Sequence, residues 1–178
     1  MYYKYYYLLN PYKRIKHKYI QRLERIGNRD LYIAYTFYDI SLFNIKTYEM
    51  EKIFSQEGME YIIINQDIIL FLNISNNTYL IYDVDLKTVI NQFTEQYMNK
   101  LFQTIKLEEN LYITKVNNEL FKWKFDLESK TIKILKRKVY DNLYMSDLMI
   151  NIIDDKLYLL TRILIDQFNS EMYLNVYK

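Results

Sequence analysis

The chain has no cysteine, one histidine, one proline and only two glycines among its 178 residues. Without cysteine it has neither disulfide bonds nor thiolate metal ligands. With Gly27 and Gly58 as the only glycines, it also lacks a glycine-rich loop that would hold phosphates. The single histidine, His17, stands among lysines and arginines and is interpreted as a surface residue. We therefore predict a protein that is not an enzyme, with no catalytic residues, no metal and no cofactor.

Long apolar segments are absent as well. The longest purely apolar runs, such as Ile68–Leu72, are far shorter than the ~20 residues that cross a bilayer. Residues 1–9 are rich in tyrosine and lack the aliphatic stretch of a signal peptide. We therefore predict no transmembrane segment and a cytoplasmic, intracellular protein. Because 51% of the residues are hydrophobic, the chain is expected to fold.

The sequence does contain an internal repeat at an offset of 41 residues. The stretch Leu70–Leu86 aligns without gaps with Leu111–Leu127. This alignment matches Phe71 with Tyr112, and it matches Tyr82 with Trp123, which is therefore interpreted as a packing position. A spacing near 41 residues suits a unit of four short strands. The repeat predicts an all-β fold.

Strand and turn signals recur in the same order along the chain. Polar turns precede four β-rich runs, namely Leu31–Phe37, Ile68–Ile74, Leu111–Val116 and Leu157–Ile165. A third strand follows in each unit, and the next corner carries Asn44, Asp85 or Asp126. Side chains of this type accept hydrogen bonds from nearby backbone N–H groups. We predict about four four-stranded units in residues 27–178.

The stretch Ile81–Thr88, with the sequence IYDVDLKT, resembles a β-propeller blade of the WD-repeat or YVTN type. The resemblance covers residues 31–178 and implies a small or incomplete propeller that serves as a binding scaffold. It implies no functional residue, because the diagnostic Trp-Asp, Gly-His and Gly-Gly pairs are absent. The last unit ends after a third strand, Glu171–Tyr177. Either Tyr2–Leu9 completes this sheet, or its open edge pairs with a second copy in a homo-oligomer.

A basic segment precedes the repeat. Residues 10–27 carry helix signals: Asn10 as a cap, Pro11 in the first turn and Gly27 at the stop. Residues 1–26 have a formal charge of +6, whereas the whole chain has +2. We predict a basic N-terminal segment with a short helix, residues 1–26, followed by the β-repeat domain, residues 27–178.

Two basic clusters are candidate binding surfaces. The N-terminal cluster has six candidate nucleic-acid contacts, which are Lys13, Arg14, Lys16, Lys18, Arg22 and Arg25. A membrane surface, a partner helix and a plain solvated face are the alternatives for this segment. The second cluster comprises Lys130, Lys133, Lys136, Arg137 and Lys138. It is interpreted as protecting an outer strand from unwanted pairing.

The function predicted from these features is a non-catalytic protein–protein interaction scaffold of β-propeller type with unknown protein partners. The first alternative is an RNA- or ribonucleoprotein-associated protein that uses the basic segment. A β-propeller hydrolase and a role restricted to one lineage are further alternatives. The 21 tyrosines, with many isoleucines, asparagines and lysines, match the codon bias of an AT-rich genome, so their abundance alone indicates no function.

Overall fold

A computed structural model describes residues 20–36, 38–55, 57–101, 103–139, 145–153, 156–164 and 170–177. Every regular element in these residues is a β-strand, which confirms the all-β prediction. The chain divides into two compact units, Met1–Glu57 and Gly58–Lys178.

Each sheet is an antiparallel meander in which the strands follow their order in the sequence. The first unit contains one sheet, with β1 Ile20–Arg25, β2 Leu31–Thr36, β3 Asp39–Asn44 and β4 Met50–Ser55. The second unit begins with β5 Met59–Ile63, β6 Ile68–Asn73, β7 Thr78–Asp83 and β8 Thr88–Thr94. Its next sheet contains β9 Thr104–Glu108, β10 Leu111–Val116, β11 Glu119–Asp126 and β12 Thr131–Val139. The last sheet contains β13 Met145–Ile153, β14 Lys156–Leu164 and β15 Ser170–Tyr177.

The helix predicted for residues 10–27 is wrong over residues 20–25, which form β1. There Leu23 lies opposite Ala34 and Arg25 lies opposite Tyr32 on β2. Gly27, with a φ of 54°, belongs to the hairpin turn between the two strands and does not end a helix. Helix propensity is a weak local preference, and pairing with β2 overrides it. Residues 10–19, and Tyr2–Leu9, lie outside the described residues.

The 41-residue repeat appears in the structure as a recurring β-bulge. The register between third and fourth strands shifts at Ile40/Ser41, at Ile81/Tyr82 and at Lys122/Trp123. Ser41, Tyr82 and Trp123 are therefore equivalent positions, and all three are buried. A bulge adds one residue to one strand and increases the local twist. The predicted match of Tyr82 with Trp123 is confirmed.

The predicted match of Phe71 with Tyr112 is wrong by two residues. Trp123 lies opposite Tyr112, whereas Tyr82 lies opposite Ile69. Four residues separate β6 from β7, but only two separate β10 from β11. The longer hairpin loop shifts the second strand relative to the third, which an alignment without gaps does not show.

The polar corners form as predicted in two of the three sheets for which a corner residue was predicted. Asn44 Oδ1 accepts the N–H groups of residues 46 and 47 at 2.9 and 3.2 Å, and Asp126 Oδ1 accepts those of residues 128 and 129 at 2.9 and 3.0 Å. In the remaining sheet Asp83, two residues before the predicted Asp85, makes this pair of bonds. The backbone N–H groups of Ser129 and Glu128 hold the pKa of Asp126 below its ordinary value.

One hydrophobic core joins the β5–β8 sheet to the β9–β12 sheet within the second unit. The rings of Tyr112 and Trp123 stack there with centroids 4.4 Å apart. Trp123 Nε1 donates to Thr114 Oγ1 at 2.7 Å, and this hydroxyl bonds the Thr104 hydroxyl at 2.6 Å. Trp123 is completely buried, so its prediction as a packing position is confirmed.

The segment between β8 and β9 is fixed to the same core. The hydroxyl of Tyr79 donates to the carbonyl of Met98, and Glu60 accepts the N–H of Leu101. The side chains of Met98 and Leu101 are buried in the core. These contacts order a connection that has no regular secondary structure of its own.

Alkaline pH is expected to destabilise the second unit through its buried tyrosines. Burial raises the pKa of Tyr112 to about 12, and burial followed by the charges of Glu95 and Glu60 raises that of Tyr79. Unfolded tyrosines lose their proton near pH 10. The stabilisation is therefore complete below about pH 10 and is lost as the pH rises towards 12.

The measurement is the free energy of unfolding in urea between pH 8 and pH 11.5. The wild type should lose stability steeply above pH 10, and Tyr112→Phe should lose less over this range. Equal losses in the two proteins would show that folding does not raise the pKa of Tyr112.

Candidate anion-binding face

Strand β11, the third strand of the β9–β12 sheet, alternates buried aromatic side chains with exposed lysines. Phe121, Trp123 and Phe125 point into the core, whereas Lys122 and Lys124 are exposed. Successive side chains of a strand point to opposite faces, so the sequence FKWKF places both lysines on one face. The aromatic packing on the inner side fixes the orientation of these lysines.

The fourth strand adds two lysines directly opposite the first two. Lys136 lies opposite Lys122, and Lys133 lies opposite Lys124. Directly opposed residues of an antiparallel pair share one face, with Cβ atoms about 5 Å apart. All four side chains are exposed. We call Lys122, Lys124, Lys133 and Lys136 the lysine face.

Nearby acids do not neutralise this face. Among the described residues, no salt bridge of 4 Å or less involves any of its four members. Asp126 is close enough to Lys124 for its pKa to respond, but its Oδ1 accepts the two N–H bonds of the turn. Residues 104–139 contain nine basic and five acidic side chains. The sheet carries an excess of positive charge that is concentrated on its outer strands.

The neighbouring arginine has a different role. Arg137 binds Glu119 through two hydrogen bonds of 2.9 and 2.6 Å, and its Cζ lies 4.8 Å from the centroid of the Tyr97 ring. This pairing uses the planar guanidinium for an intramolecular contact. The exposed charge of the face is therefore supplied by lysines.

Edge protection explains only half of the lysine face. Strand β12 is the outermost strand of its sheet, as predicted from its run of basic residues. Strand β11 is hydrogen-bonded on both sides, by β10 and by β12, and needs no protection. Lys122 and Lys124 therefore need a different explanation. Neither residue was among the predicted site residues, although their alternation with aromatic residues was the signal that would have identified them.

The N-terminal candidates are only partly described. Lys13, Arg14, Lys16 and Lys18 lie outside the described residues, so their role as nucleic-acid contacts stays a prediction. Arg22 pairs with Glu24 at 2.6 Å on β1. Arg25 donates to the carbonyls of Asn28 and Arg29 at 3.1 and 3.0 Å. Both arginines thus make local bonds in the first hairpin.

The remaining members of the second basic cluster flank the lysine face. Lys130 lies in the β11–β12 turn with a φ of 52°, and Lys138 lies opposite Leu120.

Over the described parts of the chain, no group of three or more His, Asp or Glu side chains is placed to hold a metal ion. Within the part of the chain that the structure describes, there is no helix that could span a bilayer.

The lysine pairs are expected to reduce the stability of the sheet. Like charges directly opposite each other on neighbouring strands repel, and opposite charges attract. Lys136→Glu, which faces Lys122, should therefore raise the free energy of unfolding by about 0.2–1 kcal/mol in low salt. Urea denaturation measures this gain, which should shrink in 1 M salt because of screening.

The control for that experiment is Lys100→Glu, which makes the same change in net charge outside any strand. This variant should leave the stability nearly unchanged. A loss of stability in Lys136→Glu would show that Lys136 has a structural partner. It would also contradict the expectation that repulsion between the opposed lysines lowers the stability of the sheet.

Comparisons with known proteins identify a fold but no family. No protein-family model and no curated protein matches the sequence. The extracellular domain of BT4673 from B. thetaiotaomicron is 11% identical over 91% of this chain, with a TM-score of 0.56. A functionally unknown protein from Desulfotomaculum acetoxidans is 12% identical over 86% of it, with a TM-score of 0.52. At such low identity these likenesses show the fold alone.

A third solved structure is less similar. The N-terminal domain of Nup159, a β-propeller protein, is 12% identical over 89% of this chain, with a TM-score of 0.47. A TM-score below 0.5 does not establish a common fold. This chain spans 21%, 54% and 44% of the lengths of these three structures, taken in the order given.

Proposed function

We propose that this protein is a non-catalytic interaction scaffold of β-propeller type that binds an anionic partner through the lysine face. The propeller assignment is supported by the series of four-stranded meanders, which is how the blades of a propeller are built. The bulge that recurs at Ser41, Tyr82 and Trp123 also fits three copies of one structural unit.

The observation that carries the binding proposal is the direct opposition of Lys122 with Lys136 and of Lys124 with Lys133. Such pairs are unfavourable in the free protein. A bound polyanion supplies the missing negative charge and removes the repulsion. Exposed lysines in an ordered array also attract charged partners from solution and increase their rate of association.

Salt-dependent retention on immobilised heparin, used as a generic polyanion, tests this proposal. Lys122→Gln/Lys136→Gln should elute at a distinctly lower salt concentration than the wild type, because it loses two members of the face. The matched control, Lys87→Gln/Lys100→Gln, makes the same change in net charge at exposed positions outside the face. It should elute close to the wild type.

Equal shifts for the two double variants would contradict the proposal, because retention would then depend on net charge alone. Circular dichroism of both variants establishes that they are folded before they are compared.

A further inference from the structure

We propose that the partner of the lysine face is the phosphate backbone of a nucleic-acid duplex, bound without reading of its bases. This inference rests on the proposed function, because it names the anionic partner of the same face. Three observations support it: the face consists of lysines, it has no exposed aromatic rings from β11, and its charges are regularly spaced.

The chemistry of the face suits phosphate. Its four members are lysines, whose ammonium groups act as compact point charges towards phosphate. Arginine has a planar fork that binds both carboxylates and phosphates bidentately. The one arginine on β12, Arg137, is already engaged in such a pairing with Glu119. The lysine face therefore offers point charges, rather than bidentate forks, to phosphate groups.

The direction of the aromatic side chains disfavours a single strand. Proteins bind single-stranded nucleic acid by stacking its bases on exposed aromatic rings within a basic groove. On β11 the rings of Phe121, Trp123 and Phe125 are completely buried on the opposite side of the sheet. The lysine face thus presents charge without a stacking platform. In a duplex the bases are already stacked on each other and the phosphates face outwards. A surface that offers positive charge alone can therefore bind it.

The shape of the face matches a repeating charge. Lys122 and Lys124 are two residues apart on one strand, which is about 6.8 Å, and the opposed lysines extend the array across the neighbouring strand. Strand β12 has nine residues and therefore extends over about 30 Å. Duplex DNA carries one negative charge per ~1.7 Å of its axis, so such a strand spans many phosphates. Backbone contacts of this kind position a protein without specifying a sequence.

The test is fluorescence anisotropy with the full chain and a labelled 24-base-pair DNA duplex over a range of salt concentrations. Each neutralised phosphate contributes about −0.9 to the slope of log K against log salt. The Lys122→Gln/Lys136→Gln variant should therefore bind about tenfold more weakly, with a slope smaller by about 2. The Lys87→Gln/Lys100→Gln control should keep the slope and the affinity of the wild type.

Three further probes complete the experiment. A duplex of scrambled sequence should bind as tightly as the first, and a single strand of the same length and poly-glutamate should bind more weakly. Because each variant retains residues 13–25, the difference from the wild type isolates the lysine face from the N-terminal basic segment.

The outcomes separate this inference from the proposed function. If poly-glutamate or the single strand binds more tightly than the duplex, and the binding still depends on Lys122 and Lys136, the anionic site stands and the duplex inference is overturned. If no probe distinguishes the face variant from its control, the proposed function fails together with the inference.

Discussion

Replacing Trp123 with alanine is expected to lower the free energy of unfolding by about 3–5 kcal/mol. Trp123 is completely buried, stacks on Tyr112 and binds Thr114 through its indole N–H. The substitution leaves a large cavity between the β5–β8 and β9–β12 sheets, and the surrounding side chains fill it only partly. Urea denaturation followed by far-ultraviolet circular dichroism measures the loss, since the variant has no tryptophan left for fluorescence.

Two companion variants test the origin of this loss. Leu86→Ala removes a side chain that is 68% exposed and should change the stability by less than about 0.5 kcal/mol. Trp123→Phe keeps an aromatic ring but removes the N–H donor, and should fall between the wild type and Trp123→Ala. A loss below about 1 kcal/mol in Trp123→Ala would contradict a core centred on this residue.

Releasing the connection between β8 and β9 is the second change with a large expected effect. Tyr79→Phe leaves the carbonyl of Met98 without its tyrosine donor, at a cost of about 1–3 kcal/mol. Adding Glu60→Ala removes the acceptor of the Leu101 N–H. If the connection then opens locally, trypsin should cut after Lys100 faster by about tenfold or more, since 1.4 kcal/mol is a tenfold change in population.

Tyr38→Phe is the matched control for this experiment, because the Tyr38 side chain is 72% exposed. It should leave the rate of cleavage after Lys100 unchanged. If the double variant is cut at the wild-type rate, the hydrogen bonds from Tyr79 and to Glu60 do not hold the connection in place.

Local signals in the sequence predicted the individual strands well. The run Leu111–Val116 is β10 without any change of bounds, and Ile68–Ile74 differs from β6 by one residue. Asparagine and aspartate marked the corners at positions 44 and 126 because the turn depends on their own side chains. Features encoded within a few residues were therefore accessible from sequence.

Features that depend on pairing between distant residues were not accessible. The segment at residues 20–25 has helix signals, but the strand that pairs with it, β2, decides its conformation. The length of the β6–β7 loop moved the second strand by two residues relative to the repeat.

The lysine face depends on pairing in the same way. Lys122 and Lys136 become neighbours only through the hairpin register and its bulge. The sequence showed the basic run on β12 and hence an outer strand. It did not show that two further lysines lie opposite that run on an internal strand, which is the arrangement that edge protection does not explain.

The most direct test of the account is lysine footprinting, in which an acetylating reagent modifies the full chain with and without saturating heparin and mass spectrometry reads each site. We predict strong protection of Lys122, Lys124, Lys133 and Lys136, with Lys46, Lys87 and Lys100 modified as in the free protein. Protection confined to Lys13, Lys16 and Lys18, with the four members of the lysine face unchanged, would contradict it and would place anion binding in the N-terminal basic segment.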